Sequence, residues 1–157
     1  MTLRKIIFLF TCLISLSAQV QAMDCKPSPQ MGMGDNYKPI TEHKIDISQG
    51  LTVKGKILSS PDCLPVANAR IEHWQMNTAG KYIDELRAYL ISDEKGEFKF
   101  ETEWPGSGTP HIHFIIDAEG YRKLVHVWIA TEKTDVIELT LILEPKEKMT
   151  LTQMIKM

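Results

Sequence analysis

Short segments of alternating apolar and polar residues, separated by turn residues, constrain the fold of this chain most. Leu51, Val53 and Ile57 share one face of the first segment under a two-residue period. Six more segments follow, at residues 69–76, 87–92, 98–104, 111–117, 124–130 and 137–143. Because no long stretch has a helical period, the sequence predicts an all-β fold. We expect a β-sandwich of about seven to eight short antiparallel strands.

Composition sets the size of this fold and excludes some partners. The chain has 157 residues, which suits one globular domain with short tails. Its 18 basic and 20 acidic residues give a net charge of −2, so bulk electrostatics would not attract a nucleic acid. A hydrophobic fraction of 43% is ordinary for a soluble fold and excludes compositional disorder.

Residues 1–22 have the pattern of a secretory signal peptide. Arg4 and Lys5 precede an uncharged apolar run at 6–18, and Val20-Gln21-Ala22 resembles a signal peptidase site. The apolar run, about 13 residues, is shorter than the roughly 20 that a membrane-spanning helix needs. We therefore predict cleavage after Ala22, a secreted or periplasmic protein, and no stable membrane insertion afterwards. An uncleaved anchor is the alternative.

The expected mature chain, residues 23–157, keeps 16 basic and 20 acidic residues and therefore a net charge of −4. It also keeps only two cysteines, Cys25 and Cys63. In an oxidising compartment these are most simply one disulfide, with a two-thiolate metal site as the alternative. We predict an extended arm over 23–43, rich in Pro, Gly and Met, a sandwich domain over 44–145 and a tail over 146–157, where a short helix is one option.

The tripeptide His111-Ile112-His113 is the most informative about chemistry. Side chains alternate along a strand, so the two histidines point to one face while Ile112 points into the core. Two imidazoles side by side can bind one metal ion. The alternative is a pair of exposed or hydrogen-bonded histidines, because short motifs often match by chance.

The segments around this tripeptide resemble, in order, those of the intradiol ring-cleavage dioxygenases, the family of protocatechuate and catechol dioxygenases. The stretches that carry the resemblance are WQMNTAGKY at 74–82, DEKGEF at 93–98, WPG at 104–106 and PHIHF at 110–114. The resemblance covers about residues 50–130. It implies a β-sandwich and a non-haem Fe(III) held by two tyrosines and two histidines. Tyr82, His111 and His113 match three of these ligands and would be catalytic.

Two residues of the family pattern are absent. The family's second ligand tyrosine follows the Pro-Gly of the loop, but here the stretch at 105–108 reads PGSG. The arginine that often precedes the histidines is also absent, because the sequence there is Gly108-Thr109-Pro110. One tyrosine and two histidines leave open metal positions, and such a set can hold Fe(III), Cu(II) or Zn(II). Of the four tyrosines, only Tyr82 stands at a family ligand position.

Four other residues receive predictions. Trp74 is predicted as an aromatic wall for a planar substrate, with core packing as its alternative. His126 lies in a segment, 124–128, similar to a family strand that presents a glutamine to the active site. It is a candidate substrate-binding residue, or else a partly buried strand histidine. His73 and His43 are predicted to lie at the surface.

Three functions follow from these patterns. The first is an exported intradiol dioxygenase-like oxidoreductase that cleaves a small catechol-type diol with O₂, with no identifiable protein base. The second is a non-catalytic β-sandwich that binds a metal or a small molecule in the cell envelope. The third is a copper-handling periplasmic protein that uses the two histidines and the arm methionines Met23, Met31 and Met33, whose thioethers suit Cu(I). The sequence makes no prediction of the oligomeric state.

Overall fold

The computed structural model describes residues 25–106 and 108–147. The predicted signal peptide and the tail from residue 148 onward lie outside these residues. None of the described residues forms a helix that is long and apolar enough to cross a membrane. Seven strands are present in this part of the chain: β1 Leu51–Ser59, β2 Arg70–Met76, β3 Tyr82–Ile91, β4 Glu97–Thr102, β5 His111–Asp117, β6 Leu124–Ile129 and β7 Val136–Leu143.

The strands form two sheets, which confirms the predicted all-β sandwich. One sheet has the strand order β4-β1-β7 and the other has the order β3-β2-β5-β6. Of the five pairings between these strands, four are antiparallel and one is parallel, that of β1 with β7, which pairs Thr52–Ser59 with Val136–Leu143. The expectation of antiparallel strands throughout is therefore wrong at this pair. β1 and β7 come from opposite ends of the domain, so no hairpin forces them to run in opposite directions.

The predicted strand positions hold for most of the sheet, with one large difference. β3 begins at Tyr82, five residues before the predicted start at Arg87. Its first half lacks an apolar alternation because Asp84 and Glu85 are exposed there. A register irregularity between Trp74 and Met76 on β2 brings Met76 opposite Tyr82 and extends the pairing. The site tyrosine thus lies on the sheet and not in a preceding turn.

The core lies between the two sheets and is built from inward-facing aliphatic and aromatic side chains. Ile112, Phe114 and Ile116 of β5 belong to it, as the alternation predicted. The prediction that His73 lies at the surface is wrong, because its side chain is fully buried and stacks on Phe100 with ring centroids 3.8 Å apart. The face opposite Trp74 is the face between the sheets. His43 is exposed, as predicted.

The segment before β1 wraps around the sandwich and contains no regular strand within residues 25–50. A disulfide joins Cys25 to Cys63, in the connection between β1 and β2. The amide of Met31 then donates to the carbonyl of Val125 at the free edge of β6. These contacts fix the beginning of the arm against the sheet edge.

The second part of the arm crosses the outer face of the four-stranded sheet. Tyr37 packs edge-on against Trp74 at 5.3 Å, and Ile40 is buried in the same cluster. The amide of Lys44 donates to the carbonyl of Tyr89 on β3, at the opposite edge. The arm therefore covers the outer face that carries Trp74 and, beside it, His113.

Candidate metal centre

Three side chains predicted as ligands meet on the outer face of the four-stranded sheet. Tyr82 begins β3, while His111 and His113 begin β5, and β2 lies between these strands. The Oη atom of Tyr82 lies 2.9 Å from Nε2 of His111 and 3.1 Å from Nε2 of His113. The structure therefore brings one oxygen and two nitrogen donors to a single point.

These separations fit a shared metal ion. Two donors bound at right angles to one ion, with bonds of about 2.1 Å, lie about 3.0 Å from each other. No third His, Cys, Asp or Glu joins the histidine pair among residues 25–106 and 108–147. The described protein donors are thus Tyr82, His111 and His113. Further coordination positions would remain for water or a ligand.

His111 is held in the tautomer that a metal ligand requires. Its Nδ1 lies 2.7 Å from the carbonyl oxygen of Thr109. A carbonyl only accepts, so Nδ1 carries the hydrogen and donates it, which leaves a lone pair on Nε2. A backbone carbonyl behind a histidine is the usual support of a metal-binding imidazole.

His113 is more enclosed. Its ring lies parallel to the Trp74 indole, and a Cβ on Gly34 of the arm would lie 3.3 Å from its Cε1. Burial, and then the charges of His111 and Arg87, lower the pKa of His113 to about 4. The ring is therefore neutral at physiological pH, the form that binds metals. Its Nδ1 is buried and has no hydrogen-bond partner within the described part of the chain.

The phenol of Tyr82 is neutral in the absence of a cation. Burial raises its pKa, while the charge of Arg87 opposes that change. It therefore remains protonated at neutral pH and can donate to one of the two Nε2 atoms. A bound cation would favour the phenolate and replace this hydrogen bond with metal bonds.

Neither of the two predicted substrate-binding residues offers a surface to a ligand at the three donors. Trp74 has no exposed surface, because His113 and Tyr37 pack against it. The prediction of an aromatic wall for a planar substrate is therefore wrong, and the alternative of a packed, buried tryptophan holds. His126 pairs in register with Phe114, whereas His113 pairs with Val127. His126 thus points to the face opposite the metal centre, and its predicted place in the pocket is also wrong. A one-residue register difference reverses the face of every side chain.

The sequence patterns do not predict two residues of the site, Arg87 and Gly34. Arg87 is 6% exposed, and its Cζ lies 5.9 Å from the centroid of the Tyr82 ring. The alternation over residues 86–90 is a signal for the face of Arg87. Together with a β3 that begins at Tyr82, it would place Arg87 on the strand next to Trp74. Gly34 carries no sequence signal of its contact with His113, because that contact depends on the path of the arm.

A separate surface groove lies on the outer face of the three-stranded sheet. Its lining includes Gly55 and the ion pairs that Lys54 makes with Glu138 and Lys56 makes with Glu97. These residues belong to the sheet that does not carry Tyr82 or the two histidines. The groove is therefore not part of the candidate metal centre.

Comparison of the sequence with known proteins identifies aromatic-ring dioxygenases. No family model matches the chain. A catechol 1,2-dioxygenase of Acinetobacter baylyi is 30% identical over 105 residues, a match that covers 47% of this chain and 33% of that enzyme. A hydroxyquinol 1,2-dioxygenase of a Rhizobium species is 29% identical over 128 residues, covering 62% of this chain and 41% of that enzyme. The chain thus spans about two fifths or less of the length of these relatives.

Solved structures agree in fold. One match is to the dioxygenase domain of a carbohydrate-binding fusion protein from a Streptomyces species. It covers 77% of this chain and 100% of that domain, with a TM-score of 0.68 and 19% identity. A second match is to an intradiol ring-cleavage dioxygenase from Tetranychus urticae. It covers 66% of this chain and 64% of that protein, with a TM-score of 0.61 and 25% identity. These similarities confirm the resemblance that the motifs at 74–114 indicate.

Proposed function

We propose that this intradiol dioxygenase-like chain binds Fe(III) through Tyr82, His111 and His113 and cleaves the ring of a catechol-type diol with O₂. The observation that carries the proposal is the convergence of the Tyr82 Oη on both histidine Nε2 atoms, within 3.1 Å. The relatives named above act, by their names, on catechol and hydroxyquinol. Both are aromatic rings with neighbouring hydroxyl groups.

The donor set suits a ferric ion. Fe(III) is a hard cation, so an anionic phenolate oxygen and neutral imidazoles bind it well. When bound, the ion would supply the electron-accepting centre at which an aromatic diol becomes reactive toward O₂. Cleavage of the bond between the two hydroxyl-bearing carbons, with one oxygen atom of O₂ added to each of them, would give a muconate-type diacid, so no further oxidant is needed.

The chain's own side chains hold and orient this centre. Thr109 fixes the tautomer of His111, and Trp74 with Gly34 fixes the plane of His113. The Tyr82 phenol gives up its proton when its oxygen binds a cation. Among the described residues, no carboxylate or further histidine joins Tyr82, His111 and His113 to accept the two diol protons. Solvent would therefore take these protons.

The cellular location forms part of the same proposal. The signal-like residues 1–22 and the disulfide between Cys25 and Cys63 are both typical of an exported protein. We therefore place the working enzyme in the periplasm or outside the cell. The N-terminal sequence of protein recovered from the periplasm or the culture medium should start at Met23. An intact leader on all of the protein would contradict this location.

The activity is tested by oxygen uptake with a panel of catechols and by mass analysis of the product. The wild-type protein should consume one O₂ per diol and give a diacid that carries both oxygen atoms when ¹⁸O₂ is used. Tyr82→Phe should abolish turnover, whereas Tyr89→Phe, on the same strand, should not. An iron-loaded protein that consumes no O₂ with any diol would contradict ring cleavage.

A non-catalytic role remains the second candidate, supported by one observation. The loop at 105–110 contains no tyrosine, so the described chain supplies three donors where the resemblance implies four. Such a site could retain Cu(II) or Zn(II) and serve as a binding module. Elemental analysis of protein isolated without added metal separates these cases. Stoichiometric Cu or Zn with no oxygen uptake would favour the binding role.

A further inference from the structure

Three aromatic rings lead from the candidate metal centre to the surface, and ring cleavage uses only the first of them. The ring of His113 stacks on the indole of Trp74, with centroids 4.8 Å apart. Trp74 in turn meets the ring of Tyr37 edge-on, with centroids 5.3 Å apart. Trp74 is fully buried, whereas Tyr37 is half-buried. Tryptophan and tyrosine are the aromatic side chains that lose an electron most readily, and rings in contact exchange electrons quickly. This row of rings is therefore a path for electrons.

The indole of Trp74 can pass an electron on but cannot easily remain oxidised. An oxidised indole is stabilised when its Nε1 gives its proton to an acceptor. The Nε1 of Trp74 is buried and has no hydrogen-bond partner among the described residues. If the proton stays, the oxidised ring keeps a positive charge, and burial makes that charge costly. An electron taken from Trp74 is therefore replaced from a neighbouring ring that can release a proton.

Tyr37 is the neighbour that has a proton acceptor. Its Oη donates a hydrogen bond to Oε2 of Glu72 over 3.1 Å, which is within the reach of direct proton transfer. The other oxygen of Glu72 accepts from Nε of Arg70 over 3.0 Å, so the carboxylate is fixed with one oxygen directed at the phenol. The Oη of Tyr82, by contrast, meets the Nε2 atoms of the two candidate ligand histidines. The geometry therefore favours Tyr37 as the residue that ends the path.

We propose that His113, Trp74 and Tyr37 conduct electrons between the metal centre and the surface, so that the metal-loaded protein reduces peroxides with electrons from phenolic reductants. The inference rests on the metal site of the proposed function. It goes beyond ring cleavage, which takes no electrons from outside the site.

The transfer balances in electrons and protons. Tyr37 gives one electron, through Trp74 and His113, to the oxidised centre and gives its phenol proton to Glu72, which leaves a neutral tyrosyl radical. A phenol in solution then returns one hydrogen atom to the half-buried Tyr37, and Glu72 releases its proton to water. Two such cycles supply two electrons and two protons, which break the O–O bond of one hydrogen peroxide and give two molecules of water. Two phenols become two phenoxyl radicals.

The test detects the radical and its position. The mature chain is loaded with Fe(III), its iron content is measured, and it is mixed with hydrogen peroxide, frozen rapidly and examined by EPR. The wild type should give a tyrosyl signal, and a nitroso spin trap followed by peptide mass mapping should place the adduct on Tyr37. Tyr37→Phe keeps the ring but not the phenol, so the signal should be lost. Glu72→Gln lacks the basic carboxylate and should slow formation of the signal about a hundredfold.

Tyr89→Phe is the matched control, because the ring of Tyr89 packs against His43 and the guanidinium of Arg70. It should keep both the signal and the adduct. Turnover is measured with hydrogen peroxide and 2-methoxyphenol, which has a single hydroxyl group and is not a diol. The wild type and Tyr89→Phe should oxidise this phenol, and Tyr37→Phe should not.

The outcomes separate this inference from ring cleavage. An iron-loaded wild type without a tyrosyl signal, an adduct on Tyr82 in place of Tyr37, or a signal that survives Tyr37→Phe would overturn the electron path and leave ring cleavage standing. A radical on Tyr37 in a protein that consumes no O₂ with any diol would support the path and contradict ring cleavage. A wild type that binds no iron would overturn both. The adduct on the wild type decides the matter even if a variant fails to fold.

Discussion

The indole of Trp74 lies parallel to the imidazole of His113, with ring centroids 4.8 Å apart and planes within 7° of each other. Trp74 is on β2 and His113 is its cross-strand partner on β5. Because the Nδ1 of His113 has no hydrogen-bond partner in the described residues, this stack and the arm orient the ring. Trp74 therefore acts through His113 and does not face a ligand.

Replacement of Trp74 should weaken metal binding more than it weakens the fold. In Trp74→Phe a smaller ring remains beneath the arm, but the full stack on His113 is lost. We expect metal affinity to fall about tenfold or more, as for other supports of metal-binding histidines. Trp128→Phe is the control, because Trp128 packs against Trp104 and not against a donor. Equal metal affinities for the two variants, measured by competition with a chelator, would contradict this role of Trp74.

Gly34→Ala tests whether the arm positions the donor set. Gly34 has a φ of +75°, and a Cβ there would press on Cε1 of His113. We expect a loss of stability of about 1–2 kcal/mol from backbone strain and a further loss of metal affinity. Gly50→Ala is matched, because Gly50 also has a positive φ of +104° but its Cβ would meet open space. Stability of both variants is measured by denaturation in urea, and a Gly34→Ala variant with unchanged metal affinity would show that the arm does not position His113.

The buried imidazole of His73 should make the fold sensitive to acid. Desolvation lowers its pKa from 6.5 to about 3. Below pH 6.5 the unfolded chain therefore takes up a proton that the folded chain does not, and the free energy of unfolding falls as the pH falls toward 3. The slope from this group approaches about 1.4 kcal/mol per pH unit.

His73→Leu should remove this slope, while replacement of the exposed His43 by leucine should retain it. The measurement is a series of urea unfolding curves between pH 4 and 7. The pH dependence is compared, and not the absolute stability, because leucine also changes the contact with Phe100. An unchanged slope in His73→Leu would show that His73 does not resist protonation.

The disulfide between Cys25 and Cys63 should stabilise the arm as well as the sandwich. The two cysteines are 38 residues apart in sequence, and closure of such a loop in the unfolded chain is worth about 4 kcal/mol in the chain-entropy account. The double variant Cys25→Ser with Cys63→Ser should lower the melting temperature. It should also lower metal affinity, because the arm that carries Gly34 would lose its first anchor. A melting temperature equal to that of the wild type would contradict this contribution.

The sequence predicts the frame of the site better than its surroundings. The period-two alternation places His111 and His113 on one face and Ile112 in the core, because side-chain direction in a strand depends only on parity. The family-like spacing adds Tyr82. Each of these assignments depends on local order along the chain, which the sequence records directly.

The errors concern register and the path of the arm. The similarity to a family strand predicts the wrong face for His126, because that similarity leaves the parity of the residue open, whereas its pairing with Phe114 fixes the face. The sequence predicts His73 at the surface because a polar residue opposite Trp74 resembles an outward-facing position. In the sandwich, however, Trp74 is covered by Tyr37 of the arm, and the opposite face is the core. No local pattern in residues 25–50 records which face the arm crosses.

The visible absorption of the Fe(III)-loaded protein tests the central claim most directly. Tyr82 bound as a phenolate should give a charge-transfer band at one iron per chain, and the band should disappear in Tyr82→Phe. His111→Ala with His113→Ala should abolish iron binding, whereas Tyr89→Phe should keep both the iron and the band. A band that persists in Tyr82→Phe, or a wild-type protein that binds no iron, would contradict the claim that Tyr82, His111 and His113 form an iron site.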